Sequence, residues 1–297
     1  MPLRAHYKQT CLADGASIWR WELADTRPDD RLDPDLIQAN LRTRRVGKKI
    51  LVYEKTASTN DVAAEYARNP DHAGLVVFAE EQTAGRGRSG AKWHSGSGQS
   101  LLFSVLLMDC GIGSELLSLT CAVAVAEAIG QAGTQRAAIK WPNDIVLAGR
   151  KLAGILVESK RNAHSAHVIP AKAGLHIHVI GIGINCHQTL DDFPPELREI
   201  ATSLDLASGA RCDRLTVARR VLTSLDNWLK TATRNSRQVI ETWSRLSTQL
   251  GQRVTLSCNR KRFTGNCIGV DPEKGLILQL DRGGVRMFDA AHTHIVK

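Results

Sequence analysis

Residues 85–90, Gly85-Arg86-Gly87-Arg88-Ser89-Gly90, set two arginines between glycines, and Lys92 and Trp93 follow at once. No acid lies between Gln82 and Gly98, so this stretch carries three cations without a local counter-charge. Such a loop can wrap an anion. Its glycines free the backbone, its guanidinium forks match phosphate oxygens, and an aromatic face suits a base. A second basic segment, Lys140-Trp141-Pro142-Asn143-Asp144, ends a predicted strand with a cation, an amide and a carboxylate, and Lys151 follows seven residues after Asp144. A lysine, arginine forks and a carboxylate able to hold Mg²⁺ suit nucleotidyl transfer, in which charge spreads over phosphate oxygens.

The loop is also a literal GxGxxG after a predicted strand. A dinucleotide site needs a helix to open at the glycines, so that its N-terminus meets the pyrophosphate. Residues 91–100 are too rich in glycine and serine for a crossover helix. The QxxGxG of acetyltransferases, which Gln82, Gly85 and Gly87 also satisfy, fails on the same ground. A plain surface hairpin is the remaining alternative, and the second basic segment argues against it.

The elements that must position these residues alternate between the helix and strand periods. Residues 1–50 read as an irregular lead-in with one helix, started by Asp33-Pro34 as N-cap and first helical residue. Strands are predicted at 49–53, 75–79, 101–108, 138–141 and 179–184, the last broken by Gly181 and Gly183. Ala148-Gly149-Arg150 marks a hairpin between 145–147 and 151–158, which returns Lys151 towards Lys140. Helices are predicted at 60–68, 114–130, 215–231 and 238–250. After Gly251 four short strands at close spacing, 253–257, 263–270, 276–280 and 285–288, make a small β-barrel of SH3-like size. The expected divisions are an N-terminal extension 1–48, a mixed α/β catalytic domain 49–250 and a β domain 251–297.

The 297 residues carry a formal net charge of +9. With 43% apolar and 23% charged residues, disorder and fibrous architectures are excluded. No apolar run reaches the roughly 18 residues of a membrane helix, and the best candidate, 119–130, contains Glu127. The N-terminus has no signal-peptide core, so the cytoplasm is the expected location. Seven cysteines form no CxxC pair and read as small buried hydrophobes. His164, His167, His176, His178 and His187 read as surface or packing residues, and no metal cluster built from protein ligands alone is expected.

Five segments taken together resemble the biotin protein ligases: Ser58-Thr59-Asn60; residues 81–90 with Lys92-Trp93; Lys140 to Asp144; Arg150 to Glu158; and Gly181-Ile182-Gly183-Ile184-Asn185. With the barrel, the resemblance covers about 50–297 in the family's order. It implies an α+β catalytic domain like those of class II aminoacyl-tRNA synthetases, followed by an SH3-like domain. The implied activity is ATP-dependent activation of biotin to biotinyl-5′-AMP, then transfer to a lysine of a biotin carboxyl carrier protein. Mg²⁺ accompanies ATP.

By the same resemblance Ser58, Thr59, Asn60, Gln82, Gly85, Gly87, Arg88, Gly154 and Gly183 belong to the biotin site, Arg88 serving ATP as well. Arg86 closes over it, and Lys151 meets carboxylate and α-phosphate. Arg88, Lys92, Trp93, Lys140, Asn143, Asp144 and Asn185 serve ATP, with Trp93 on adenine. Arg86, Arg88, Lys140 and Lys151 are the expected catalytic cations.

The family's repressors carry a winged helix–turn–helix longer than residues 1–50 provide, so no nucleic-acid partner is expected. Relatives often dimerise, and the resemblance leaves a homodimer open. Ala91 stands where some relatives carry another base, and the segment 159–178 is longer than usual. Lipoate ligation on a related fold and a basic nucleic-acid-binding regulator are the alternatives. Against the latter, the excess base concentrates in 82–98 and in 136–154, where Arg136, Lys140, Arg150 and Lys151 face Asp144 alone.

Overall fold

The computed structural model describes residues 5–11, 17–23, 30–130, 136–161 and 176–296. The chain forms two compact units, Met1–Asp30 and Arg31–Lys297. The first holds an antiparallel hairpin of β1 (Ala5–Cys11) and β2 (Ser17–Leu23), paired from Ala5↔Leu23 to Cys11↔Ser17. The expectation of an irregular lead-in is corrected here. Trp19-Arg20-Trp21-Glu22-Leu23 carries the period-two alternation of a strand.

The second unit opens with the expected helix, α1 (Pro34–Gln38), whose N-cap Asp33 accepts from the backbone N–H of Asp35 and Leu36. It continues through β3 (Lys49–Thr56), α2 (Thr59–Tyr66), β4 (Leu75–Gln82), β5 (Ser100–Met108), α3 (Ser114–Gly130), β6 (Ala138–Lys140), β7 (Asp144–Leu147), β8 (Arg150–Arg161) and β9 (His176–Asn185). These strands form one seven-stranded sheet in the order β3-β4-β5-β9-β8-β7-β6, with β3 and β4 parallel and every other neighbour antiparallel. Ala148 (φ 49°) and Gly149 (φ 78°) close the β7–β8 hairpin, both in the left-handed region that a tight two-residue turn demands. The segment 162–175, which contains most of the long insertion with His164 and His167, lies outside the described residues.

Strand alternation gives the sheet two unlike faces. One face sends Val76 and Phe78, Phe103 and Val105, and Ile180, Ile182 and Ile184 into the main core. That core also holds α3, α5 (Arg214–Arg234) and α6 (Ser236–Leu246). α3 is apolar nearly all round because sheet and helices enclose it. Its Glu127 accepts a hydrogen bond from Trp228 Nε1 at 3.0 Å, which accounts for a charge inside an apolar run. The other face packs Leu75, Val77, Leu106, Ile177 and Val179 beneath α2, then turns polar. On β9 the residues continuing that face are Gly181 and Gly183, and β9 runs through them unbroken. The expected break does not occur, because each glycine makes room for a neighbouring side chain.

Between β9 and α5 lies a short helix, α4 (Leu204–Ser208), capped by Ser203 and ended by Gly209 at φ 71°. After α6 come β10 (Arg253–Cys258), β11 (Lys261–Asp271), β12 (Gly275–Leu280), β13 (Val285–Phe288) and β14 (Thr293–Ile295). They pair antiparallel in the order β13-β12-β11-β10-β14. The fifth strand, β14, is absent from the sequence reading. Leu256, Leu276, Leu278 and Phe288 of this sheet join the same apolar cluster as the large core.

Candidate functional site

The glycine face carries a cleft of about 420 Å³. Its floor is a backbone platform: Gly154 on β8 pairs directly with Gly183 on β9, and Gly181 lies two residues on. A Cβ on Gly183 would stand 2.6 Å from Trp93 Cε2, and one on Gly154 would stand 2.9 Å from Trp93 Cζ3. The Trp93 indole therefore lies against the two glycines. A Cβ on Gly181 would meet Asn60 Oδ1 at 2.4 Å, so the strand is bare where Asn60 rests on it.

One end of the cleft is lined by uncharged side chains whose hydrogen-bond network, at the N-terminus of α2, is anchored on Glu158. Gln82 Oε1 accepts from Thr59 N (2.7 Å) and Thr59 Oγ1 (3.0 Å), which fixes the amide and leaves its Nε2 as a donor. Ser104 Oγ lies 2.7 Å from Thr59 Oγ1 and 2.6 Å from Asn60 Oδ1, and Asn60 Nδ2 donates to Glu158 Oε2 at 2.7 Å. Ser58, Thr59 and Asn60 are buried, so their orientations are set before any ligand arrives.

The glycine loop forms a compact hairpin over the floor. Trp93 N donates to Gly85 O, Gly87 N donates to Ala91 O, and Arg86 pairs with Lys92 across it. Ser89 (φ 53°) and Gly90 (φ 77°) turn the tip. No crossover helix follows, as the sequence requires; a single 3₁₀ turn at Arg88–Gly90 leads on towards β5.

The two arginines of the loop have opposite surroundings. Arg86 makes a bidentate pair with Asp61 (2.6 and 2.7 Å) and stands 3.7 Å from Glu158. That pairing holds the Asp61 carboxyl below its usual range. Arg88 is more enclosed and donates to Thr293 O of β14 at 3.2 Å, and burial lowers its pKa. Burial raises the nearby Glu115 carboxyl, which accepts from Ala290 N.

Facing the loop, Lys151 Nζ sits 2.6 Å from Asp144 Oδ1 and 5.7 Å from the Trp93 ring centroid. Its backbone is held on both sides of the peptide: Lys151 N donates to Ile200 O, and Thr202 N donates to Lys151 O. Lys140 enters from β6 beside the cis Trp141–Pro142 peptide. Asn143 Nδ2 donates to Ile155 O at 2.6 Å, so this amide ties the β6–β7 turn to β8.

Of the residues singled out from sequence, Ser58, Thr59, Asn60, Gln82, Arg86, Gly87, Arg88, Lys92, Trp93, Lys140, Asn143, Asp144, Lys151, Gly154 and Gly183 all line this cleft. Gly85 and Asn185 are outside its lining. Gly85 packs beneath Trp93 and Gln82, where a Cβ would stand 3.0 Å from Trp93 O and 3.2 Å from Gln82 Nε2, a tight contact. Asn185 is buried, donating to Thr202 O and accepting from Gln188.

Sequence reasoning missed His294 and Ile295, which β14 brings to the rim. No local motif marks them, because they arrive by long-range pairing of an edge strand. It also missed the acids Asp61 and Glu158 that hold Arg86. His178 is buried against Ser159, as a packing histidine would be. His187 departs from that expectation: its Nδ1 lies 2.8 Å from Asp205 Oδ2, beside Cys212.

The model of the Biotin/lipoate A/B protein ligase family matches residues 52–171. The chain is 33% identical over 263 residues to the bifunctional ligase/repressor BirA of Bacillus spizizenii, covering 88% of this chain and 78% of that protein. It is 32% identical over 209 residues to the biotin–[acetyl-CoA-carboxylase] ligase of Mycobacterium tuberculosis, covering 66% and 72%. Among solved structures, the biotin protein ligase of Aquifex aeolicus in complex with biotin and ATP superposes with a TM-score of 0.70 at 26% identity, covering 84% of this chain and 99% of that one.

Proposed function

The chain belongs to the biotin protein ligases, and on that premise we infer that its cleft activates biotin with ATP and passes the biotinyl group to a lysine of a carrier protein. The observation that carries this reading is the meeting of two unlike surfaces in one cleft. The uncharged side chains of Ser58, Thr59, Asn60 and Gln82, the last three tied into one hydrogen-bond network, adjoin a group of five cations, Arg86, Arg88, Lys92, Lys140 and Lys151. The first suits a ureido ring, which needs fixed donors and acceptors without charge. The second suits a carboxylate beside a triphosphate. A neutral or purely hydrolytic substrate would leave most of those cations without a task.

A carboxylate is a poor acyl donor, so it must first acquire a leaving group. In the proposed first step a biotin carboxylate oxygen attacks the α-phosphorus of ATP and pyrophosphate leaves. Lys151 faces both anions and neutralises the charge that gathers between them; Lys140, Arg88 and Lys92 hold the phosphates. Asp144 is the one carboxylate in the described lining, so a Mg²⁺ bound with ATP would take most of its oxygen ligands from phosphates and water. That ion would supply charge neutralisation at the leaving pyrophosphate.

Arg86 lines the cleft while its two terminal nitrogens hold Asp61, and exchanging that carboxylate for a ligand anion would close the loop over the ligand. Closure excludes water from the mixed anhydride. Trp93 rests on the glycine floor, and its buried Nε1 has no hydrogen-bond partner among the described residues, a donor that a ligand oxygen can satisfy. The adenine role implied for Trp93 requires the indole to lift from that floor. In the second step the carrier lysine amine attacks the acyl carbon, the amide forms and AMP leaves.

Biotin-dependent exchange of labelled pyrophosphate into ATP tests the first step. Exchange with biotin but not with lipoate supports the reading, and lipoate-only exchange selects the alternative family chemistry. A soluble carrier domain then reports lysine biotinylation. Among the described residues no helix is long and apolar enough to cross a membrane. A homodimer formed by sheet extension would use β3, because at the other edge Ile139 of β6 already bridges to Ser247 and accepts from Thr248 N.

A further inference from the structure

Outside the cleft lining, three residues of different donor types meet where the chain leaves β9. The ligand atoms of His187, Asp205 and Cys212 all lie within 4.8 Å of one another. His187 Nδ1 is 2.8 Å from Asp205 Oδ2 and 3.9 Å from Cys212 Sγ. A tetrahedral zinc with bonds of about 2.0–2.3 Å separates such donors by roughly 3.3–3.8 Å, so the donors need only small shifts to accept one.

The backbone around them is already fixed. His187 N and Cys186 N both donate to Gln99 O, and Asp205 N donates to Cys186 O. Asp205 Oδ1 accepts from Cys212 N at 2.7 Å, which aims Oδ2 at the imidazole. The three residues come from the end of β9, from α4 and from the loop before α5, and the His187 side chain is only 5% exposed. Such convergence from separate elements is what a metal staple needs.

We propose that His187, Asp205 and Cys212 bind a single divalent transition ion of the zinc type. One thiolate, one imidazole and one carboxylate favour zinc over the hard Mg²⁺ that accompanies ATP. The fourth position falls to water, since the Cys186 thiol lies outside this group and rests on Ile184 O. The ion would hold down the excursion 186–212, and that excursion supplies Ile200 and Thr202 to the backbone of Lys151. Its role is structural, with an indirect effect on the placement of the catalytic lysine.

The test uses the full chain without an affinity tag. The protein is incubated with Zn²⁺, desalted, and its metal content measured by mass spectrometry; the experiment is repeated with Co²⁺ and read by absorbance. The proposal predicts one ion per chain and a thiolate-to-cobalt charge-transfer band. It also predicts a fall in Tm on chelation, because a metal bound only to the folded state stabilises it. His187→Ala and Cys212→Ser should each bind about tenfold or more weakly. Cys110→Ser, which alters a cysteine elsewhere, should retain the full content. Wild-type protein that holds no more metal than a His187→Ala/Cys212→Ser double variant would overturn the site. So would metal-free protein in which Cys186 and Cys212 titrate as a disulfide. None of these readouts requires biotin chemistry, so the metal site and the ligase reading stand or fall separately.

Discussion

Along β9 neighbouring residues serve opposite faces of one sheet. Ile180, Ile182 and Ile184 are buried in the core shared with α3 and α5, while Gly181 and Gly183 present bare backbone to Asn60 and Trp93. Charged pairs on the two faces of the sheet repeat the contrast. Glu80 points to the core side and pairs with Arg214 of α5 at 2.6 Å, with side chains only 8% and 3% exposed. Lys151 and Asp144, on the cleft side, pair at the same distance but at 38% and 25% exposed. The same kind of ion pair is thus a structural commitment on one face and an exchangeable contact on the other. Burial decides which, because an enclosed charge that loses its partner has no water to turn to.

Breaking the buried pair should give the largest effect on folding. Arg214→Ala removes the enclosed guanidinium from Glu80, whose Oε1 still accepts from Leu32 N, and should cost about 3–5 kcal/mol in denaturant unfolding. A loss below 1 kcal/mol would show that the core face tolerates charge as the cleft face does.

Lys151→Ala should invert the pattern. Its stability should hardly change, while single-turnover formation of the adenylate should slow by about 10²–10³, the usual cost of removing one preorganised charge from a transition state. An equally large fall in stability would erase the distinction between the faces.

Gly183→Ala sharpens the comparison without touching charge. The added methyl would sit 2.6 Å from the indole, so Trp93 must shift. Ångström-scale misplacement of a positioning group costs up to about 10²-fold in rate, with Tm little changed. A drop in Tm without a kinetic effect would mean that the indole is core rather than site.

The smallest effect concerns the Arg86–Asp61 contact, which is largely exposed and contributes little to global stability. Its sign is nevertheless defined. The folded Asp61 carboxyl is held below its usual value, so the contact is complete above the ordinary carboxylate range and is lost as pH falls through the lowered folded value. NMR titration should place Asp61 below an ordinary aspartate, and Arg86→Ala should return it to the ordinary range.

Much of this molecule is legible locally. The Asp33 cap, the Ala148-Gly149 turn, the missing crossover helix and the α3 span follow from a few consecutive residues. The cleft cations were legible because glycine spacing and charge mark them together. What escaped sequence reasoning depends on partners far along the chain. Asp61 holds Arg86 from 25 residues away, and β14 supplies His294 only through its pairing with β10. Asp205 and Cys212 reach His187 from 18 and 25 residues on. Gly181 and Gly183 were misread as strand breakers because glycine weakens an isolated strand, whereas here each removes a clash.

The central claim is that biotin and ATP meet on the glycine face beneath the 85–93 loop. A crystal structure with a non-hydrolysable biotinyl-adenylate mimic tests it most directly. The account predicts the bicyclic ring at Ser58, Thr59 and Gln82, the phosphate-mimicking linker at Lys151, and Arg86 transferred from Asp61 to the ligand. A mimic bound away from Gly154 and Gly183, or bound there with Arg86 still on Asp61, would contradict it.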